Sequence, residues 1–183
     1  MIVRSSFGIL IAAFLVVAAT PARAQSPQAG QYGDQTLAAG GYFNATHLQY
    51  GEHWVLGAGA FVDANLTWRY GIEGEATWSR WQAQSQTYAT TYLVGPRYRF
   101  KGLGNYRFSP YAKFLIGDGS FNFPYNTGTG NYFVMAPGGG IDYHWKSRFD
   151  LRLCDVEYQI WPQFSFGSVS NISASAGLRY RIF

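Results

Sequence analysis

The chain has 183 residues, enough for one domain of ordinary size. Only 13% of it is charged, the formal net charge is +4 and no basic run occurs, which excludes a nucleic-acid-binding surface. The single cysteine, Cys154, excludes an intramolecular disulfide, and no His/Cys/carboxylate group has metal-ligand spacing, so neither a metal nor any other cofactor is expected.

Residues 1–24 read as a cleaved secretory signal peptide. Arg4 gives a positive start, Phe7 to Ala19 is an apolar run of 13 residues, and Ala22-Arg23-Ala24 is a small-x-small cleavage site. That run falls short of the ~20 residues a spanning helix needs. Cleavage removes Arg4 and Arg23 and takes the formal charge from +4 to +2. Residues 25–35 are a flexible polar leader rich in Gln, Gly and Ser, and residues 36–183 form the folded domain.

From residue 36 onward, apolar residues recur with period two rather than 3.6. The pattern predicts eight strands: Thr36–His47, Trp54–Thr67, Tyr70–Trp81, Thr87–Phe100, Phe108–Gly119, Asn131–Trp145, Arg148–Ile160 and Asn171–Phe183. Soluble strands usually run ~5–6 residues, whereas tilted strands that cross a bilayer need ~9–11. Short connections (Trp68-Arg69, Lys101 to Arg107, Lys146-Ser147) alternate with longer ones, notably 120–130 and 161–170. Short turns at one end and longer loops at the other are the layout of an outer-membrane barrel, with both termini at the short-turn, periplasmic end.

The two faces differ sharply. In 92–100, Tyr92, Val94, Pro96, Tyr98 and Phe100 oppose Leu93, Gly95, Arg97 and Arg99. In 154–160, Cys154, Val156, Tyr158 and Ile160 oppose Asp155, Glu157 and Gln159. A soluble lipocalin-like binder would turn the apolar face inward, and a membrane barrel turns it outward into lipid. Aromatics at segment ends (Trp68, Tyr70, Phe100, Tyr143, Trp145) favour the membrane arrangement, because that is where an interfacial girdle lies. The fold expected is therefore all-β: an eight-stranded antiparallel up-and-down transmembrane barrel.

An interior of eight strands is just wide enough to be filled by side chains. The expected inward charges are Glu73, Glu75, Arg97, Arg99, Lys113, Asp142, Asp155, Glu157, Arg179 and Arg181. Five acids against five bases predicts paired charges that close the lumen, with Glu75, Arg97, Lys113 and Glu157 at its centre. A narrow, weakly selective pore is the alternative. The segments 120–130 and 161–170 are the expected contact surface, toward lipopolysaccharide, a host surface or other envelope proteins.

Several stretches carry a family resemblance: VGPRYRF (94–100), FSPYAKFLIG (108–117), APGGGIDY (136–143), DVEYQIW (155–161) and GLRYRIF (177–183). In order and spacing they resemble the outer-membrane β-barrel family that includes the OmpA barrel domain, OmpX and the opacity-type proteins of Gram-negative bacteria. The resemblance implies an integral outer-membrane location. It also implies a C-terminal signal read by the barrel assembly machinery. Here that signal would be Leu178, Tyr180, Ile182 and Phe183, although Phe183 falls out of phase with the other three. Some barrels of this size resemble lipid A-modifying enzymes, which use His with Ser and an acid. No such convergent set is expected among His47, His53 and His144, so no enzymatic activity is expected.

Overall fold

The computed structural model describes residues 36–49, 53–81, 87–103, 107–123, 128–164 and 167–182. The signal and leader segments and Phe183 lie outside the described residues. Eight strands follow in chain order: β1 (Thr36–Leu48), β2 (His53–Asn65), β3 (Tyr70–Trp81), β4 (Tyr88–Arg99), β5 (Phe108–Asn122), β6 (Thr129–His144), β7 (Phe149–Phe164) and β8 (Gly167–Arg181). Each pairs antiparallel with the next, and β8 pairs with β1 to close the barrel. Closure gives every strand two partners and leaves no open edge, so the backbone is satisfied without water.

The expectation of long loops at 120–130 and 161–170 is not met. β5 runs on through Asn122, which pairs with Thr129, and β7 runs on to Phe164, which pairs with Gly167. Ser120, Asn122, Gly130 and Gly167, which look like loop signals, are absorbed into the ladders. Among the described glycines, Gly167, at φ 115°, is the one that takes the left-handed backbone that favours glycine, where β8 begins. The connections at that end are 49–52, 82–87, 123–128 and 165–166, and those at the other are 66–69, 100–107 and 145–148. Loop length therefore does not distinguish the two ends.

The outer face is apolar over most of its height, and Arg80 and Asp118 interrupt it toward the 82–87 and 123–128 connections. Phe43, Val62, Ile72, Tyr92, Val94, Phe114, Ile116, Phe133, Val156 and Ile172 all point away from the lumen and are 42–72% exposed. Near the 66–69, 100–107 and 145–148 turns, aromatic residues pair across strands: Tyr70 with Tyr98, Phe108 with Tyr143, and Phe149 with Tyr180, at 5.1–5.2 Å between ring centroids. This belt matches the girdle that interfacial aromatics form.

Glycines shape the interior as well. A Cβ at Gly59 would strike the Tyr42 ring, and one at Gly40 would strike the Phe61 ring. Their absence lets both rings lie inside the barrel, stacked at 6.1 Å.

Candidate functional site: the charged lumen

Two cations organise the middle of the lumen. Arg97, from β4, places Nη1 2.6 Å from Asp63 and 2.9 Å from Glu73, and Nη2 2.6 Å from Asp142. Its guanidinium lies 3.6 Å from the centre of the Tyr111 ring. Lys113, from β5, holds four carboxylates with one ammonium: Glu157 at 2.5 Å, Asp155 at 2.9 Å, and Glu73 and Glu75 at 3.1 Å. Its side chain is 1% exposed.

Arg152, from β7, joins the two groups. It donates from both Nη1 and Nη2 to Glu73 at 3.0 Å, a bidentate pair, and it lies 3.6 Å over the Phe61 ring that Gly40 admits. Glu73 thus serves Arg97, Lys113 and Arg152 at once. Arg179 forms an ion pair with Asp63 at 2.8 Å and donates from Nη1 to Asp150 at 3.2 Å. Tyr111 donates its hydroxyl to Asp155. A neutral layer lies beside the charges, in which Asn44 donates to Thr46 and Ser79, and Thr46 reaches Ser173.

Toward the 49–52, 82–87, 123–128 and 165–166 connections the lumen is filled differently. Leu48, Val55, Ala89, Leu93, Leu115, Phe121, Val134, Ala136, Trp161 and Val169 pack into one apolar cluster, all at or below 8% exposure. An apolar plug therefore caps a polar network.

At the opposite mouth, three side chains fall into line. Ser109 Oγ lies 2.9 Å from His144 Nε2, and His144 Nδ1 lies 2.8 Å from Asp150 Oδ1. This corrects the expectation that no nucleophile–base–acid set converges. Sequence distance hid it: Ser109 faces Asp142 across β5–β6, and His144 faces Asp150 across β6–β7. Ser109 is 6% exposed, and Asp150 is also held by Arg179 and by Arg181 at 3.0 Å.

The sequence profile described as "Outer membrane protein beta-barrel domain" matches residues 10–181. The chain belongs to this family. It is an integral protein of the cell outer membrane. No curated protein matches the chain in sequence. Among solved structures, neisserial surface protein A is similar at TM-score 0.59 and 13% identity, over 80% of this chain and 96% of that one. The N-terminal barrel domain of Pseudomonas aeruginosa OprF is similar at 0.56 and 12%, over 81% and 100%. Ail, the attachment invasion locus protein of Yersinia pestis, solved in complex with the heparin analogue sucrose octasulfate, is similar at 0.52 and 14%, over 80% and 99%. At such identities the likeness speaks to fold alone.

Within this outer-membrane barrel, the expected inward residues fall into two groups. Glu73, Glu75, Arg97, Lys113, Asp142, Asp155, Glu157 and Arg179 are buried, at 7% exposure or less. Arg99 and Arg181 are only partly buried; Arg99 donates to the Asn65 amide at 3.1 Å, and the Arg181 side chain is 32% exposed. Asp63, Asp150 and Arg152 belong to the same network and are absent from the expected set. The count of five acids and five bases is corrected accordingly: seven buried acids face four buried bases.

A β-bulge explains why Arg152 and Asp150 escape a period-two reading. Asp142 pairs with Arg152 and Ile141 with Cys154, so Leu153 is an extra residue. Leu153 and Cys154 are both exposed, and the inward parity switches from even to odd between them. Extending the alternation of 154–160 backward turns Arg152 into lipid. Asp63 has no such excuse: it shares parity with Phe61 and Asn65, and splitting the faces of β2 finds it.

Proposed function

We propose that the protein is a closed, non-catalytic barrel with a structural and surface-contact role, whose lumen carries no traffic. The observation that supports this reading most is the double filling of the interior, by the Arg97–Lys113–Arg152 ion network and by the apolar plug around Phe121 and Trp161. Eight strands leave little room for water beside those side chains. Refolded protein in a planar bilayer is expected to give no steady openings once insertion is verified. Openings that scale with salt concentration would replace this reading by the narrow pore.

The Ser109–His144–Asp150 line favours a second reading, an acyl hydrolase at the lumen mouth, because it has the bond order of a serine triad. Burial of Ser109 and the two arginines on Asp150 favour a clamp that fixes the mouth instead. A fluorophosphonate probe is expected not to label the folded protein. Stoichiometric labelling that disappears in Ser109→Ala would establish the hydrolase.

The remaining assignments rest on chain pattern. Residues 1–24 serve export, 25–35 are a leader, and 36–183 are the barrel. Leu178, Tyr180 and Ile182, 37–47% exposed, form the outward row offered to the barrel assembly machinery, and Phe183, outside the described residues, ends the signal in sequence. Surface contact, with lipopolysaccharide, a host surface or other envelope proteins, falls to the rim built by the ends of β5–β8 rather than to long loops.

A further inference from the structure

The two rims differ in charge far more than in length. The connections 66–69, 100–107 and 145–148 carry Arg69, Lys101, Arg107, Lys146 and Arg148 and no acid. The connections 49–52, 82–87, 123–128 and 165–166 carry no Lys or Arg, and Glu52 is their single charged residue. All five basic residues are exposed. Among the described residues, none of the five lies within ion-pair distance of an acid, whereas the lumen acids use Arg97, Lys113, Arg152, Arg179 and Arg181.

Four of the five are also placed rather than loose. The carbonyls of Arg69, Arg107 and Arg148 accept hydrogen bonds from the next hairpin, from the N–H groups of Arg99 at 2.7 Å, His144 at 2.8 Å and Arg181 at 2.8 Å. The turns are thereby bonded to one another around the rim. Three cations rest on residues of the outward aromatic belt. Arg69 lies 4.1 Å over the Trp68 ring, Lys146 lies 5.0 Å from the centre of the Trp145 ring, and Arg148 Nη1 donates to the Tyr180 hydroxyl at 3.3 Å. Trp68 and Trp145 are 44% and 56% exposed.

Interfacial Trp and Tyr sit at the headgroup level of a bilayer. A cation stacked on such a ring is held at the depth of the lipid phosphates, with its charge open to them. We propose that this rim is a phosphate-binding collar that recruits anionic glycerophospholipids by their headgroups, in the leaflet at the end of the barrel where β1 begins and β8 ends. Charge complementarity selects the occupant: five cations without a counter-acid, set at phosphate depth around a lipid-facing wall.

The test is electron spin resonance on the refolded protein in phosphatidylcholine bilayers, doped with either spin-labelled phosphatidylglycerol or spin-labelled phosphatidylcholine. The fraction of each probe immobilised at the barrel wall gives their relative association. The anionic probe is expected to be favoured about fivefold, the effect of roughly one cation at an anionic surface. High salt is expected to remove the preference, as is the variant R69Q/K101Q/R107Q/K146Q/R148Q, whose folding is checked by heat-modifiable gel mobility. Equal association of both probes with wild type overturns the collar. So does a preference that survives high salt, a readout that needs no variant. Inorganic phosphate at matched ionic strength is expected to leave the preference unchanged; if it abolishes it, the rim is a free-phosphate site and the lipid assignment fails.

Discussion

Replacing Lys113 by Met is expected to destabilise the folded barrel by about 3–5 kcal/mol near neutral pH, the usual effect of breaking a buried ion pair from one side. The loss is expected to shrink as the pH is lowered. Lys113 is the one ammonium among Glu73, Glu75, Asp155 and Glu157. Met has similar length and keeps the packing of the stem, so the change is chiefly one of charge. Without the cation, like charges are left together in a site that excludes water. Glu73 and Asp155 keep Arg152, but Glu75 and Glu157 lose the base they share, and protons are what remains to relieve that pair. The folded variant binds more protons than its unfolded chain, so its stability falls as pH rises. Urea unfolding of wild type and variant in lipid, measured from acid to neutral pH, reads this out. A gap between the two curves that stays constant with pH would mean that the damage is steric and that the four carboxylates are not held by charge.

How far the sequence specifies this molecule depends on the element. The eight strands and their in–out alternation are legible because lipid and lumen impose opposite chemistry on alternate residues. Val94 and Arg97 need no structure to be assigned to faces. The upper ends of β5 and β7 are not legible, since 120–130 and 161–170 carry the Gly, Asn and Pro that ordinarily stop strands. Pairing such as Ser120 with Asn131 and Trp161 with Val169 overrides that local signal, because a closed barrel offers each extension two ready ladders. Arg152 is illegible for a different reason. One extra residue, Leu153, inverts the parity on which any face assignment rests, and nothing in the composition of 148–154 marks it. The mouth triad fails on both counts: its members lie on three strands, and Asp150 precedes the bulge.

Glu73→Gln is expected to be the most damaging single isosteric change in the lumen, at about 3–5 kcal/mol or the upper end of that range. Glu73 is 0% exposed, and both of its oxygens are shared. Oε1 accepts from Lys113 at 3.1 Å and Arg152 at 3.0 Å, and Oε2 accepts from Arg97 at 2.9 Å and Arg152 at 3.0 Å. An amide removes the charge and sets an NH2 against donors whichever way it turns. Arg181→Gln is the control: it breaks a 3.0 Å pair whose arginine is 32% exposed, and a loss below about 1 kcal/mol is expected there. The decisive measurement is a double-mutant cycle. Arg152→Met removes the bidentate partner of Glu73, so the double variant E73Q/R152M is expected to lose less than the sum of the two single losses, by about 1–3 kcal/mol. The shortfall would show that the two side chains are parts of one structure, in which Glu73 joins the Arg97 group to the Lys113 group through Arg152. Strict additivity would mean that each charge is satisfied separately, and a network spanning β3, β4, β5 and β7 would not describe how the lumen is held shut.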